Sequence, residues 1–291
     1  MMAHRIITQI FGGLGNQMFQ YACGRAMALR TGGDCVLDLR DFFAGPGQEP
    51  GLHHLNTVSC QLPDSEMPPM QSQRLRYLLW RGLKLEPRLI RQKGLAFDPE
   101  ILGLDGNYCL RGYWQSERFF ADFAERIRQE LSVKTEPDDK NAGLLAEIEN
   151  QPAVSLHIRR GDYVKDAKTN AVHGTCSLEY YSRAAQHIAG HMEAEPVFYV
   201  FSDEPQWAVA NLDLRFEMRV MDHNDSSRNY EDLRLMSSCR HHIIANSSFS
   251  WWGAWLNPSE EKIVVAPNRW FADASMSNPD LIPDSWVRLE T

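Results

Sequence analysis

The period of apolar and polar positions changes along this chain, and the changes mark its elements. Runs rich in β-branched and aromatic residues predict strands at 153–158, 196–201, 215–220, 241–245 and 262–266. Amphipathic stretches between them predict helices near 178–190, 205–211, 228–238 and 250–256. This alternation implies βαβ units on a parallel sheet with right-handed crossovers, so the second half reads as Rossmann-like. The first half opens in the same way. A strand is predicted at 6–11, then the turn Gly12-Gly13-Leu14-Gly15-Asn16-Gln17-Met18, a helical pattern through Tyr21, Ala22, Arg25, Ala26 and Leu29, and a second strand at 35–39. Residues 44–70 are rich in Pro, Gly and polar side chains and predict a long loop bordering a binding cleft. Beyond it come a basic helical segment at 74–93, a short strand or bend at 108–115 and a helix at 117–131. A linker at 134–140 sets the expected domain boundary near residue 150, giving domains 1–150 and 151–291.

Composition narrows the functional classes. With 291 residues, 43% of them hydrophobic, the chain can build two ordinary cores. Acidic residues outnumber basic ones by 38 to 30, and the net charge of -8 argues against bulk nucleic-acid binding. Any phosphate site must then be local. The six cysteines are scattered with no Cys-x-x-Cys pair, which points to a reducing cytoplasm rather than to a zinc knuckle or a redox dithiol.

The segment Ser155-Leu156-His157-Ile158-Arg159-Arg160-Gly161-Asp162-Tyr163 supplies such a site. A buried strand ends there in two guanidiniums, a glycine and a carboxylate. Alternation puts His157 and Arg159 on one face and Arg160 on the other, at the sheet edge where ligands of open α/β folds bind. The plainer alternative is an arginine pair salt-bridged to Asp162. Two further strands end in polar groups ahead of a helix: one in Ser202-Asp203, the other in Asn246-Ser247-Ser248-Phe249-Ser250. Serine hydroxyls and free N–H groups at a helix start can cradle an anion, although ordinary capping also explains Ser202. The N-terminal turn lacks the third glycine of a dinucleotide fingerprint, since Met18 occupies its place. That weighs against a nicotinamide oxidoreductase. A non-catalytic carbohydrate-binding module would use Trp251, Trp252 and Trp255, but nothing in such a module calls for a diphosphate site.

Four motifs in order resemble the α-1,2-fucosyltransferases of glycosyltransferase family 11: Gly12 to Ala22, His157 to Tyr163, Phe201-Ser202-Asp203 and Asn246 to Leu256. The resemblance spans nearly the whole chain. It implies a GT-B-like α/β fold of two facing Rossmann-like domains with a cleft between them, the N-terminal one on the acceptor side. It implies GDP-β-L-fucose as donor to the C-terminal domain and the 2-hydroxyl of a β-galactoside as acceptor. Inversion at the anomeric carbon, with no catalytic metal and no cofactor, belongs to the same expectation. Animal members carry a membrane anchor and stem, whereas this chain starts at its first strand, which resembles a bacterial cytoplasmic enzyme of surface-glycan or O-antigen synthesis.

The residues carry these expectations. Arg159 is the first choice to grip the departing diphosphate, with Arg160 second. Gly13, Gly15 and Asn16, Ser202, and the serines 247, 248 and 250 are the remaining donor-site candidates. Asp203 or Asp222 is expected to accept the guanine N1–H and N2–H. Asp162 and His157 are candidate bases by position. Similar O-fucosyltransferases suggest instead that Asn16 orients the nucleophile while the phosphate takes the proton. The basic segment 74–93 adds two alternatives, a solvated helix face or weak peripheral contact with the inner face of the bacterial membrane.

Overall fold

A computed structural model describes residues 4–40, 42 and 50–291. The chain forms two compact units. One runs to Leu131 and includes Pro279–Leu281, and the other comprises Ser132–Asn278 and Ile282–Thr291. The boundary expected at 150 thus differs from a division after Leu131. The cause is helix α4 (Asp139–Glu149), which starts inside the expected linker. Asp138 caps it by accepting the Asn141 N–H at 2.9 Å, and Arg228 of the second unit grips the same carboxylate.

In the first unit a parallel sheet has the order β2-β1-β4-β3. Its strands are β1 (Arg5–Gln9), β2 (Asp34–Asp38), β3 (Arg88–Arg91) and β4 (Tyr108–Arg111). Helix α1 (Leu14–Thr31) packs closely on β1, because Gly24 faces Thr8 where an added Cβ would come within 2.9 Å. Gly24 therefore supplies the close helix-to-strand approach that a dinucleotide turn obtains from its third glycine. Buried Arg25 makes a two-pronged ion pair with Glu130 of α3 (Ala124–Glu130), at 2.9 and 2.8 Å. The expected helix at 117–131 begins instead as two 3₁₀ turns, Glu117–Phe119 and Ala121–Phe123. Helix α2 (Arg74–Gly82) ends where Lys84 turns left-handed (φ 51) ahead of Pro87. The rest of the expected basic helix becomes β3. Residues 44–49 of the expected loop lie outside the described residues. Leu52 and Leu55, further along it, are buried.

The second unit holds a parallel sheet of order β10-β9-β8-β5-β6-β7. The strands are β5 (Ala153–Ile158), β6 (Val197–Ser202), β7 (Glu217–Met221), β8 (His241–Ile243), β9 (Val264–Pro267) and β10 (Val287–Leu289). β5 is buried along its whole length, as a central parallel strand requires. Six helices complete the unit beside α4: α5 (Gly161–Lys165), α6 (Ala167–His173), α7 (Leu178–Ala189), α8 (Pro205–Asn211), α9 (Asn229–Ser238) and α10 (Ser248–Leu256). Val154, Leu156, Phe198, Val200, Tyr180 and Ile188 are among its core residues. Trp251, Trp252 and Trp255 are buried in it too, so they pack rather than stack on sugars. Among the described residues no helix is long and apolar enough to cross a membrane.

Beyond β7, Asn224 bridges Asn141 and the Asp232 carboxylate, which accepts its Nδ2 at 2.8 Å. Burial pushes the Asp232 carboxyl up to about 7, and Glu231 adds to the rise against the Asn224 hydrogen bond. The folded state then holds this proton across the window from about 4 to about 7, where the unfolded chain has released it, so stability falls as pH rises. Asp232→Asn is expected to remove that slope and to gain up to about 4 kcal/mol over the parent near pH 8, with no gain near pH 4. Urea melts at the two pH values measure it, and equal differences at both would contradict the assignment.

Candidate functional site

Two strands neighbouring in the second sheet, β5 and β8, lead into different kinds of polar structure. β5 runs into α5 through Arg159 and Arg160. β8 runs through Asn246 and Ser247 into α10. The neighbour of β5 on its other side, β6, ends in Ser202 and continues to Asp203 and Glu204.

Arg159 lies at the middle of the resulting cluster. Its guanidinium donates to Asp162 Oδ1 at 2.5 Å and pairs with Asp203 Oδ2 at 3.1 Å. It also lies 5.4 Å from the centre of the Tyr163 ring. The side chain remains 33% exposed, so it is clamped yet reachable by a ligand. The plainer expectation, an ion pair with Asp162, is thus present, and it leaves the guanidinium oriented rather than withdrawn. Arg160 has different side-chain partners. Its side chain reaches Glu204 at 3.3 Å and lies 3.7 Å from the Trp207 ring centre, while its main-chain N–H donates to Asp203 Oδ1. Asp203 therefore holds both arginines, one through each oxygen. Gly161 makes this possible, since a Cβ there would sit 2.5 Å from Asp203 Oδ2.

The other predicted residues separate by role. Ser202 Oγ accepts the Glu204 N–H at 3.0 Å, a turn-capping bond. Ser250 is buried and donates to the Ser247 carbonyl at 3.2 Å. Ser247 stands at the N-cap of α10 but makes no side-chain capping bond among the described residues, and Ser248 is half-buried beside it. The first N–H groups of that helix thus keep their anion-binding character. His157 is buried against Phe249, and its Nδ1 has no partner among the described residues. Burial and the neighbouring Arg159 push its pKa down to about 3, so it is neutral at physiological pH. Asp222 follows β7 and is exposed.

Sequence reasoning missed the groups that brace this cluster. Tyr163 stacks on His173 with ring centres 4.7 Å apart, and its hydroxyl donates to the Asn246 carbonyl at 3.3 Å. Asn246 Nδ2 donates to the carbonyls of His173, Gly174 and Trp270. One buried carboxamide thereby ties the start of α10 to the end of α6. Tyr163 and Asn246 stood within the quoted motifs, but side-chain type alone gave them no role; His173 had no signal.

In the first unit the glycine turn is a separate construction. Gly12 takes φ 80, and a Cβ there would come within 3.0 Å of Asn16 Nδ2. Asn16 Oδ1 accepts from Gln115 Nε2 at 2.9 Å, which fixes the carboxamide. Gly13 is the N-cap of α1 and Gly15 lies buried in its first turn. Gln17 joins this turn to the following segment, donating to the Gly12 carbonyl and accepting the Gly51 N–H, both at 2.8 Å. Among the described residues of both units no group of three His, Cys, Asp or Glu side chains could hold a metal ion.

The family described as Glycosyl transferase family 11 matches residues 88–290. The chain is 31% identical to the alpha-1,2-colitosyltransferase of Escherichia coli, over 98% of this chain and 99% of that protein. It is 32% identical to the O-antigen biosynthesis glycosyltransferase WbnK of Escherichia coli, over 96% and 98% of the two chains. The GDP complex of a mutant Arabidopsis thaliana FUT1 superposes with a TM-score of 0.53 at 13% identity, covering 91% of this chain and 70% of that one. That likeness concerns the fold, which is of the GT-B class, built from two Rossmann-like units. The chain belongs to glycosyltransferase family 11 and is a glycosyltransferase of that family.

Proposed function

We propose that this glycosyltransferase moves L-fucose from GDP-β-L-fucose to the 2-hydroxyl of a β-galactoside in a bacterial surface glycan, with inversion and without a metal ion. One observation carries the reading: Arg159 is clamped by Asp162 and Asp203 at the end of β5, in the same unit as the uncapped N-terminus of α10. A GDP leaving group gains charge on its β-phosphate as the glycosidic bond breaks. A preoriented guanidinium there favours the transition state over the ground state, and the helix N-terminus with Ser247 and Ser248 supplies further donors. Asp203 has both oxygens occupied by the arginines, so Asp222 is the carboxylate assigned to the guanine edge. Burial and Arg159 lower the His157 pKa to about 3, which leaves it a weak base, and Asp162 is held by Arg159. In this reading the departing diphosphate takes the acceptor proton. The six cysteines are free thiols, which suits action in the cytoplasm.

A second reading has its own support. The 31% identity with an alpha-1,2-colitosyltransferase favours a colitosyl donor in the same site. A colitosyl donor carried on the same nucleoside diphosphate would meet the same cluster around Arg159. Purified protein incubated with each donor and a panel of β-galactosides, with product linkage read by NMR, separates them. The expected result is an α-1,2-linked product with undiminished rate in excess EDTA. Another linkage, or a rate lost in EDTA and restored by Mg²⁺, would overturn the corresponding part of the reading.

A further inference from the structure

Helix α2 packs the opposite way round from an ordinary surface helix. At 3.6 residues per turn Tyr77 and Trp80 share one face, and these two are its buried residues, packed with Cys109 and Leu89. Leu75, Leu78 and Leu79 occupy the other face, at 72%, 59% and 52% exposure, and Leu83 and Leu85 continue the exposed apolar surface past the helix end. An apolar surface turned to solvent over consecutive turns differs from the scattered exposed leucines of any protein. Its borders are basic. Arg74 and Arg81 flank the leucine strip on one side of the helix and Arg76 on the other, and Lys84 follows at its end. Between residues 74 and 93 seven Lys or Arg face one acidic residue, Glu86, in a chain whose net charge is -8. All seven are exposed.

We propose that this face docks on an anionic phospholipid surface, with the leucines entering the headgroup boundary and the arginines reaching phosphates on either side. Charge decides between possible occupants. A second copy would bring a like-charged face against this one, whereas anionic headgroups neutralise it. Arginine also keeps its charge while its stem lies along the apolar layer. The helix has only nine residues, so the attachment is weak and reversible and needs both apolar and electrostatic parts.

Co-sedimentation of the full chain with vesicles tests it. Vesicles of phosphatidylethanolamine with phosphatidylglycerol are compared with phosphatidylcholine vesicles, at about 0.1 M and about 0.5 M NaCl. The protein should sediment with the anionic vesicles at low salt and be released at high salt. Each basic residue close to the surface strengthens partitioning about fivefold, so the variant Arg74→Gln/Arg76→Gln/Arg81→Gln/Lys84→Gln should lose tenfold or more. A second variant, Leu75→Ser/Leu78→Ser/Leu79→Ser, should also lose vesicle binding while keeping the parent's melting temperature and its rate on a soluble acceptor. Equal sedimentation of parent and charge variant, equal binding to neutral vesicles, or none at low salt would overturn the proposal. A dimer in sedimentation velocity that the leucine variant abolishes, without vesicle binding, would assign the face to self-association instead.

Discussion

Arg159→Ala is expected to lower kcat/KM by roughly 100-fold or more, the cost of removing one preorganised donor from a site of developing charge. The effect has two sources. The guanidinium no longer meets the charge that grows on the departing phosphate. Asp162 and Asp203, now without the cation between them, also present bare carboxylates to an anionic donor, so GDP affinity should fall together with turnover. Lysine should rescue poorly. Its ammonium is a single point charge and lacks the planar fork by which separate guanidinium nitrogens reach Asp162 and Asp203. Steady-state kinetics and calorimetry with GDP measure the two effects, and a thermal melt reports whether the variant folds. Near-parental turnover in a folded Arg159→Ala protein would remove Arg159 from the diphosphate site and leave the ion pairs as its whole purpose.

Arg159 and Arg160 also show what the sequence could and could not disclose. The motif located both, just beyond the end of β5. Which partners hold each of them depended on residues far along the chain: Glu204 and Trp207 engage Arg160, and Asp203 engages both. No local pattern encodes those pairings. The second sheet was readable because its strands are apolar runs separated by amphipathic helices, yet β10 escaped notice, being three residues long and partly exposed. Helix α4 was missed for another reason. Pro137 and the charges around it read as a linker, although Asp138 with Asn141 three positions on is a capping signal that marks a helix start. In the basic segment the apolar periodicity was real but its inside and outside were not legible. Leucine outnumbers Tyr77 and Trp80 there, and only tertiary packing against Cys109 shows that the two aromatic rings, not the leucines, form the buried face.

Gly161→Ala is expected to reduce turnover by about 10- to 100-fold through Asp203, although the new methyl group need not touch any substrate. A Cβ at this position would lie 2.5 Å from Asp203 Oδ2 and 3.2 Å from its Cγ, well inside contact distance. Displacing a flexible side chain is ordinarily cheap. Asp203, however, is pinned by the Arg160 N–H on one oxygen and by Arg159 on the other, so its displacement breaks both bonds. Arg159 then keeps Asp162 and the Tyr163 ring as braces, and its guanidinium loses the orientation that the proposed transition-state stabilisation requires. Folding should suffer less, by about 1 kcal/mol, because the cluster is partly exposed and lies outside the apolar core. The double substitution distinguishes this route from a general disturbance of α5. With Asp203→Ala already present, the space that the methyl group requires is free, and Gly161→Ala should cost little further activity. If Gly161→Ala were as damaging in the Asp203→Ala background as in the parent, the glycine would be acting through the backbone of α5, and the contact with Asp203 would not be its function.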